Sequence, residues 1–276
     1  MRVMAIKTGL IGIIRIAELV NLNYLLLVLG ALTGLGGVFF AMLENRPKRI
    51  MAQHTISQVG YILLGIGTGT ALGLLAATLH LVYHGLFKSL LFVSVGHADV
   101  GKKTVYQETG FPLSLASRTG IIVGSLAIMS IPPLNGYFSK ALLLEQAGGG
   151  WVWAVMIAIS LGTALSFFKL NWGLLIGSVK RKPHKGDLSV LIFSLIVLLS
   201  GGITWVTVSG EVITELFSLR HLLVTFGLFL AGGFGLFCLH NRLEKIDCFT
   251  FPFDLDNALV SIFTGFLVVV GVMAFV

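Results

Sequence analysis

The chain has 276 residues, of which 56% are apolar and 11% are Asp, Glu, Lys or Arg, whereas soluble domains carry roughly 25% charged residues. So few charges cannot form the solvated coat that a soluble domain of this size needs, which excludes that class. The net charge of +7 does not indicate a nucleic-acid binder, because the basic residues form short clusters between long apolar runs. We therefore expect an integral membrane protein.

Polar clusters divide the sequence into nine candidate membrane spans, since a bilayer core of about 30 Å requires roughly 20 apolar residues per helix. The predicted spans cover residues 3–20, 24–43, 54–71, 73–97, 119–147, 151–176, 189–208, 221–240 and 257–276. The fifth is too long for one straight helix, and Pro132 and Pro133 predict a break near 132–136. We expect an all-α polytopic transmembrane helical bundle that forms a single domain.

The charged loops provide an independent test of this topology, because Lys and Arg accumulate on the cytoplasmic side of a membrane. With nine spans, Arg220 is the only basic loop residue on one side. The other side collects Arg2, Arg46, Lys48, Arg49, Lys102, Lys103, Arg118, Lys180, Arg181, Lys182, Lys185, Arg242 and Lys245. This asymmetry predicts a cytoplasmic N-terminus and a C-terminus outside.

Four lysines remain at apolar depth, namely Lys7, Lys88, Lys140 and Lys169. A charge near the bilayer centre costs on the order of 3 kcal/mol, so several in one chain indicate a hydrated or paired interior path. The alternative is snorkelling, in which the stem lies along lipid and the ammonium group reaches the headgroups. Both interpretations stay open for Lys169, and Lys7 taken alone is typical of a flanking residue.

The segment HLVYHGLFKSLLF places His80, His84 and Lys88 four residues apart, which aligns them on one face of a helix about 6 Å apart per step. Histidine titrates near neutral pH and a desolvated lysine releases its proton more easily, so this row is a candidate proton relay. The alternative is a polar stripe that only hydrogen-bonds a neighbouring helix.

Two further features concern the break and the third span. Lys140 follows the break in IPPLNGYFSK, and broken helices often mark ion sites in transporters; the alternative is a kinked helix with this lysine at the membrane edge. His54, in QHTISQ, is a secondary candidate, with a polar cluster at a helix start as the alternative. We expect no cofactor and no metal, because the chain has no nucleotide-binding motif and no cysteine cluster.

Four segments in order, AIKTGLIGIIR, RPKRIMAQHTISQVGYILLGIG, HLVYHGLFKSLLF and IPPLNGYFSK, resemble the antiporter-like membrane subunits shared by respiratory complex I, Mrp-type cation/proton antiporters and membrane-bound hydrogenases. The His in QHTISQVGY is more similar to the Mrp and hydrogenase branch. The resemblance covers roughly residues 5–170. It implies that residues 1–180 form the second half of the antiporter-like fold and that 181–276 add C-terminal helices.

The resemblance also implies proton translocation along the middle of the membrane. Lys7 matches the family's central lysine, and His80, His84 and Lys88 match the HxxxHxxxK helix. Lys140 matches the residue on the broken helix from which the proton leaves or passes to the next subunit. The resemblance implies transport of H⁺, alone or in exchange for Na⁺. The composition implies lipid as the surrounding medium, and the absence of redox motifs implies that redox chemistry is carried elsewhere. The alternatives are a spacer subunit without its own ion pathway, a membrane-arm subunit of an NADH:quinone oxidoreductase, and an independent transporter.

Members of this family have two inverted five-helix repeats, and this sequence matches from the last helix of the first repeat onward. We therefore expect other membrane subunits as partners, including a chain that supplies the missing first repeat. The expected location is the plasma membrane of a prokaryote, with the mitochondrial inner membrane as the alternative.

Overall fold

The structure, a computed structural model, describes residues 9–14, 22–97, 104–106, 110–176, 178–182, 186–207 and 217–244. Residues 9–14 are helical. Eight further helices follow: α1 (Asn23–Leu43), α2 (Pro47–Gly67), α3 (Ala71–His97), α4 (Leu115–Ile128), α5 (Asn135–Gln146), α6 (Gly150–Leu175), α7 (Asp187–Thr207) and α8 (Leu219–Glu244). Two short strands, β1 (Pro112–Leu113) and β2 (Val179–Lys180), pair in parallel.

The all-α membrane bundle predicted from the sequence is confirmed. Five of the described helices, α1, α3, α6, α7 and α8, are long and apolar enough to cross a membrane. Helix α2 has the length, with 21 residues, but its sequence is more polar because it carries the QHTISQ segment. The first predicted span is described only at residues 9–14, and the ninth, 257–276, lies outside the described residues.

Helix α2 begins seven residues earlier than the span predicted at 54–71, because Pro47 occupies the first helical position. Proline favours that position, since its fixed φ suits the helix and no hydrogen bond is lost there. The side chains of His54, Ser57 and Gln58 are therefore buried in the middle of a long helix. The interpretation of this segment as a polar helix start is wrong.

The predicted break of the fifth span is also found, between the end of α4 at Ile128 and the start of α5 at Asn135. The intervening residues include the two prolines, whose missing N–H groups cannot continue a helical ladder. Gly136 lies directly on the carbonyl of Ala127, where an added Cβ would overlap the oxygen. The two half-helices therefore remain packed against each other across the break.

Helices α1 and α2 form the most extensive helix pair of the bundle and meet through glycines. A Cβ on Gly60 of α2 would overlap the backbone of Gly34 and the carbonyl of Gly30 on α1. Small residues of this kind let membrane helices approach closely. The contact fixes the depth of α2, and with it the positions of His54 and Gln58.

One end of the bundle, which we call the basic end, comprises the described loop residues 44–46, 104–106, 110–114, 178–182 and 186–187. The β1–β2 pair lies there, and Asn45 O accepts a 2.9 Å hydrogen bond from Val105 N. Arg118 donates to Ser178 O at 3.1 Å. The charge pattern predicts that these loops share one side.

The opposite end comprises residues 68–70, 145–149 and 217–221. There the Thr70 hydroxyl donates to Gln146 Oε1 at 2.9 Å, and His221 Nε2 lies 2.8 Å from Glu145 Oε2. The chain therefore alternates between the two ends as a polytopic topology requires, with α4 and α5 together making one crossing.

Candidate functional site

The row predicted on α3 is present and buried. The rings of His80 and His84 are nearly parallel, with centroids 6.3 Å apart and planes inclined by 9°, which matches the step of about 6 Å expected for residues four apart. Lys88 follows one turn later, and all three side chains are buried. The structure thus places three titratable groups in one line inside the bundle.

His80 is held from two other helices. Its Nδ1 lies 2.9 Å from Ser139 Oγ on α5, and its Nε2 lies 3.0 Å from Gln58 Oε1 on α2. Both ring nitrogens are thus hydrogen-bonded across helix boundaries, which fixes the orientation of the ring. The α3 row is therefore joined both to the broken helix and to α2.

Lys88 lies at the other end of the row with 0% of its surface exposed. Among the described residues, its Nζ has no hydrogen-bond partner. The ammonium group instead lies 5.9 Å from the ring centroids of both Phe92 and Phe167, which is within cation–π range. A buried ammonium group without an acceptor is costly, so structural need alone does not explain this lysine.

Lys140 lies just beyond the break on α5 and is 2% exposed. Its Nζ donates a 2.7 Å hydrogen bond to the carbonyl of Ile128, the last residue of α4, and lies 5.4 Å from the Tyr61 ring centroid. The end of a helix leaves carbonyls without intrahelical donors and with partial negative charge, which favours a cation there. Lys140 thus occupies the interior of the bundle.

Lys169 on α6 has a different environment, although it is equally buried. Its Nζ donates to the carbonyls of Met42 and Glu44, the latter at 2.6 Å, and lies 3.4 Å from Asn45 Oδ1. These groups form the turn between α1 and α2. The ammonium group therefore caps the C-terminus of α1 from another helix.

His54 lies on α2 one turn before Gln58 and is 0% exposed. Its ring packs on Phe167, with centroids 4.7 Å apart, and neither ring nitrogen has a hydrogen-bond partner among the described residues. Lys7, the remaining predicted relay residue, lies outside the described residues.

The sequence interpretation gave no role to Gln58 and did not consider Ser139, the two side chains that hold His80. A signal for both was present: Gln58 follows His54 by four residues, and Ser139 directly precedes Lys140. Helical spacing alone places each on a polar face. That these faces meet at His80 depends on the packing of three helices, which the sequence pattern does not contain.

The fold and this buried row define a class of polytopic membrane proteins with titratable side chains in the bundle interior. The family described as "NADH:quinone oxidoreductase/Mrp antiporter, TM" matches residues 2–166, which is more than half of the chain. The chain therefore belongs to this family. The membership inferred from the four sequence segments is confirmed.

Individual relatives come from several kinds of complex. The chain is 30% identical over 231 residues to Hydrogenase-4 component B of Escherichia coli (strain K12), covering 70% of this chain and 34% of that protein. It is 30% identical over 236 residues to NADH-quinone oxidoreductase subunit L of Mycobacterium tuberculosis (strain CDC 1551 / Oshkosh), covering 79% and 36%. The chain thus spans about a third of the length of both.

Among solved structures, a chain of the Mrp complex from Dietzia sp. DQ12-45-1b superposes with a TM-score of 0.64 at 23% identity. The match covers 91% of this chain and 31% of that chain. At this level of identity the superposition shows a shared fold. The superposed part, at 91% of this chain, is longer than the segment that the family match covers.

Proposed function

We propose that this chain is an antiporter-like subunit of a multisubunit, energy-converting membrane complex and that it carries protons through the bundle interior. The observation that carries the proposal is the buried row His80, His84 and Lys88, which Ser139 connects to the broken helix bearing Lys140. Relatives named as a hydrogenase component and as an oxidoreductase subunit support membership of a larger complex.

The mechanism that we propose is electrostatic. Each group in the row lies close enough to the next for a charge at one site to alter proton binding at its neighbour, because the interior screens charges weakly. A proton on His80 would pass through His84 to Lys88, and the charge of Lys140 acts on His80. The resemblance adds Lys7 as the donor from the preceding half-channel.

The orientation that we propose follows from the basic end of the bundle. The described basic residues at or next to this end include Lys48, Arg49, Arg118 and Lys180. Positive residues accumulate in short loops on the cytoplasmic side of a membrane. The basic end would then face the cytoplasm of a prokaryotic cell. The partners in the same membrane would be other membrane subunits of the same complex.

The test is proton translocation by the assembled complex in vesicles, compared between the parent and a Lys88→Met variant. Methionine preserves much of the side-chain length but has no titratable group, so we expect at least about a 10-fold loss of the coupled proton flux. Lys48→Met, at an exposed site on α2, is the matched control and should retain the parental flux. An unchanged flux in Lys88→Met would instead support a spacer subunit.

A further inference from the structure

The α3 row is bordered by a second line of polar side chains on α2. His54 and Gln58 are four residues apart on that helix and share a face. The two helices run in opposite directions, and Gln58 contacts His80. One turn earlier on α2 therefore corresponds to one turn later on α3, so that His54 lies at the level of His84. Lys88 is one further turn along α3, and helical side chains tilt back towards the N-terminus, which brings its ammonium group towards that level.

Phe167 of α6 lies close to both His54 and Lys88. The His54 ring centroid lies 4.7 Å from the centroid of Phe167, and Lys88 Nζ lies 5.9 Å from the same point. The two titratable groups thus share one aromatic neighbour.

Both groups have unused hydrogen-bonding capacity. The two ring nitrogens of His54 and the Nζ of Lys88 are fully buried, and none has a hydrogen-bond partner in the described part of the chain. Buried polar groups in proteins are almost always satisfied, and where no protein group is available an internal water with several polar neighbours does so. An imidazole and an ammonium group on neighbouring helices provide both an acceptor and a donor for such a water.

On the assumption that the proposed function holds, we infer that His54 and Lys88 share one proton through a bound water. The Lys88 ammonium group donates a proton to the water, and the water passes another to a nitrogen of His54. Lys88 becomes a neutral amine, His54 becomes an imidazolium, and the water and the total charge are unchanged. The proton returns by the reverse steps.

Electrostatics limits the pair to a single proton. The cationic side chains that surround His54 are Lys88 from α3, Lys140 from α5 and Lys169 from α6. With Lys88 charged, a second positive charge on His54 is disfavoured, because the interior screens the repulsion between the two charges only weakly. Occupancy of the two sites is therefore mutually exclusive.

Apolar side chains separate His54 from the basic end. Ile50 and Met51, about one turn nearer to that end of α2, are both fully buried. An apolar segment supplies no groups to transfer a proton. His54 is therefore a side site of Lys88, which holds the proton while Lys88 is neutral.

The test is solid-state NMR on the complex in lipid bilayers with ¹⁵N-labelled histidine, in which a His54→Gln variant assigns the His54 signals. We expect a transfer peak from water protons to the His54 ring nitrogens. In Lys88→Met the imidazolium fraction of His54 should rise, because the charge that opposes it is removed. The His221 signal, at the opposite end beside Glu145, should stay unchanged, and Lys48→Met should reproduce the parental spectrum.

The inference is overturned if the His54 nitrogens show no water contact, or if their protonation is the same with and without the Lys88 charge. Lys88→Gln provides a second neutral variant in case the methionine variant does not assemble. The spectra do not depend on transport. Loss of flux in Lys88→Met without a response of His54 therefore rejects the side site alone, whereas a responding His54 with unchanged flux rejects the proposed function.

Discussion

Lys88 and Lys169 are equally buried lysines with opposite surroundings. Lys88 is 0% exposed and Lys169 is 1% exposed, and Phe167, two residues before Lys169, also borders Lys88. Lys169 donates to backbone carbonyls at the end of α1. Lys88 has no hydrogen-bond partner among the described residues.

Because the two lysines are equally buried but differ in their hydrogen bonds, burial alone does not identify a proton carrier. Deprotonation of Lys169 would sacrifice charge-assisted hydrogen bonds to helix-end carbonyls, so its ammonium form is strongly favoured. Deprotonation of Lys88 sacrifices no hydrogen bond to a described residue and removes a buried charge. We therefore propose a proton-carrying role for Lys88 and a structural role for Lys169.

The largest effect on stability that we expect comes from Lys169→Met. The substitution leaves the carbonyls of Met42 and Glu44 without their donor in the bundle interior, so the free energy of unfolding should fall by about 3 kcal/mol. Chemical unfolding in mixed micelles measures this change. Lys169→Arg should restore part of the loss, and Lys180→Met, at an exposed site on β2, is the control. A fully stable Lys169→Met variant that no longer translocates protons would place Lys169 in the relay.

A smaller loss is expected from Gly60→Ala, which pushes α2 away from α1 and so disturbs the turn that Lys169 caps. The added methyl group meets backbone atoms of Gly34, which cannot move as a side chain could, and overpacking of this kind costs about 1–3 kcal/mol. The control is Gly36→Ala on α1, where a Cβ meets nothing within 4 Å. Equal stability of the two variants in thermal unfolding would contradict this account of the α1–α2 contact.

The smallest effect on stability is expected from loss of the hydrogen bonds that join His80 to α2 and α5. Gln58→Leu removes the partner of Nε2 and Ser139→Ala removes that of Nδ1, each at a cost of about 1 kcal/mol in stability. Each substitution should also shift the ¹⁵N resonance of the ring nitrogen that loses its partner. If neither resonance moved, the contacts that join α3 to α2 and α5 would be absent in the protein.

The sequence was informative where a local pattern determines the structure. Hydropathy predicts the apolar helices, and the two prolines predict the break between α4 and α5, because these signals act within one helix. The spacing of His80, His84 and Lys88 likewise predicts their common face. Residue spacing does not reveal which lysine has hydrogen-bond acceptors, because the acceptors of Lys169 are more than 120 residues away in the chain.

The start of α2 was missed for a related reason. The polar segment at His54–Gln58 has the composition of a helix end, but it lies mid-helix because its side chains face other helices. In a membrane protein, polar residues at this depth face the bundle interior. Hydropathy alone therefore shortens a span of this kind.

The most direct test of the central claim measures proton flux and stability together in Lys88→Met and Lys169→Met, each in the assembled complex. Our account predicts that each substitution impairs a different property of the complex. Lys88→Met should assemble with parental or higher stability and lose the coupled proton flux, whereas the Lys169→Met complex should be less stable, with the flux per assembled complex largely retained. If Lys88→Met translocates protons at the parental rate, Lys88 is not a proton carrier and the account is contradicted.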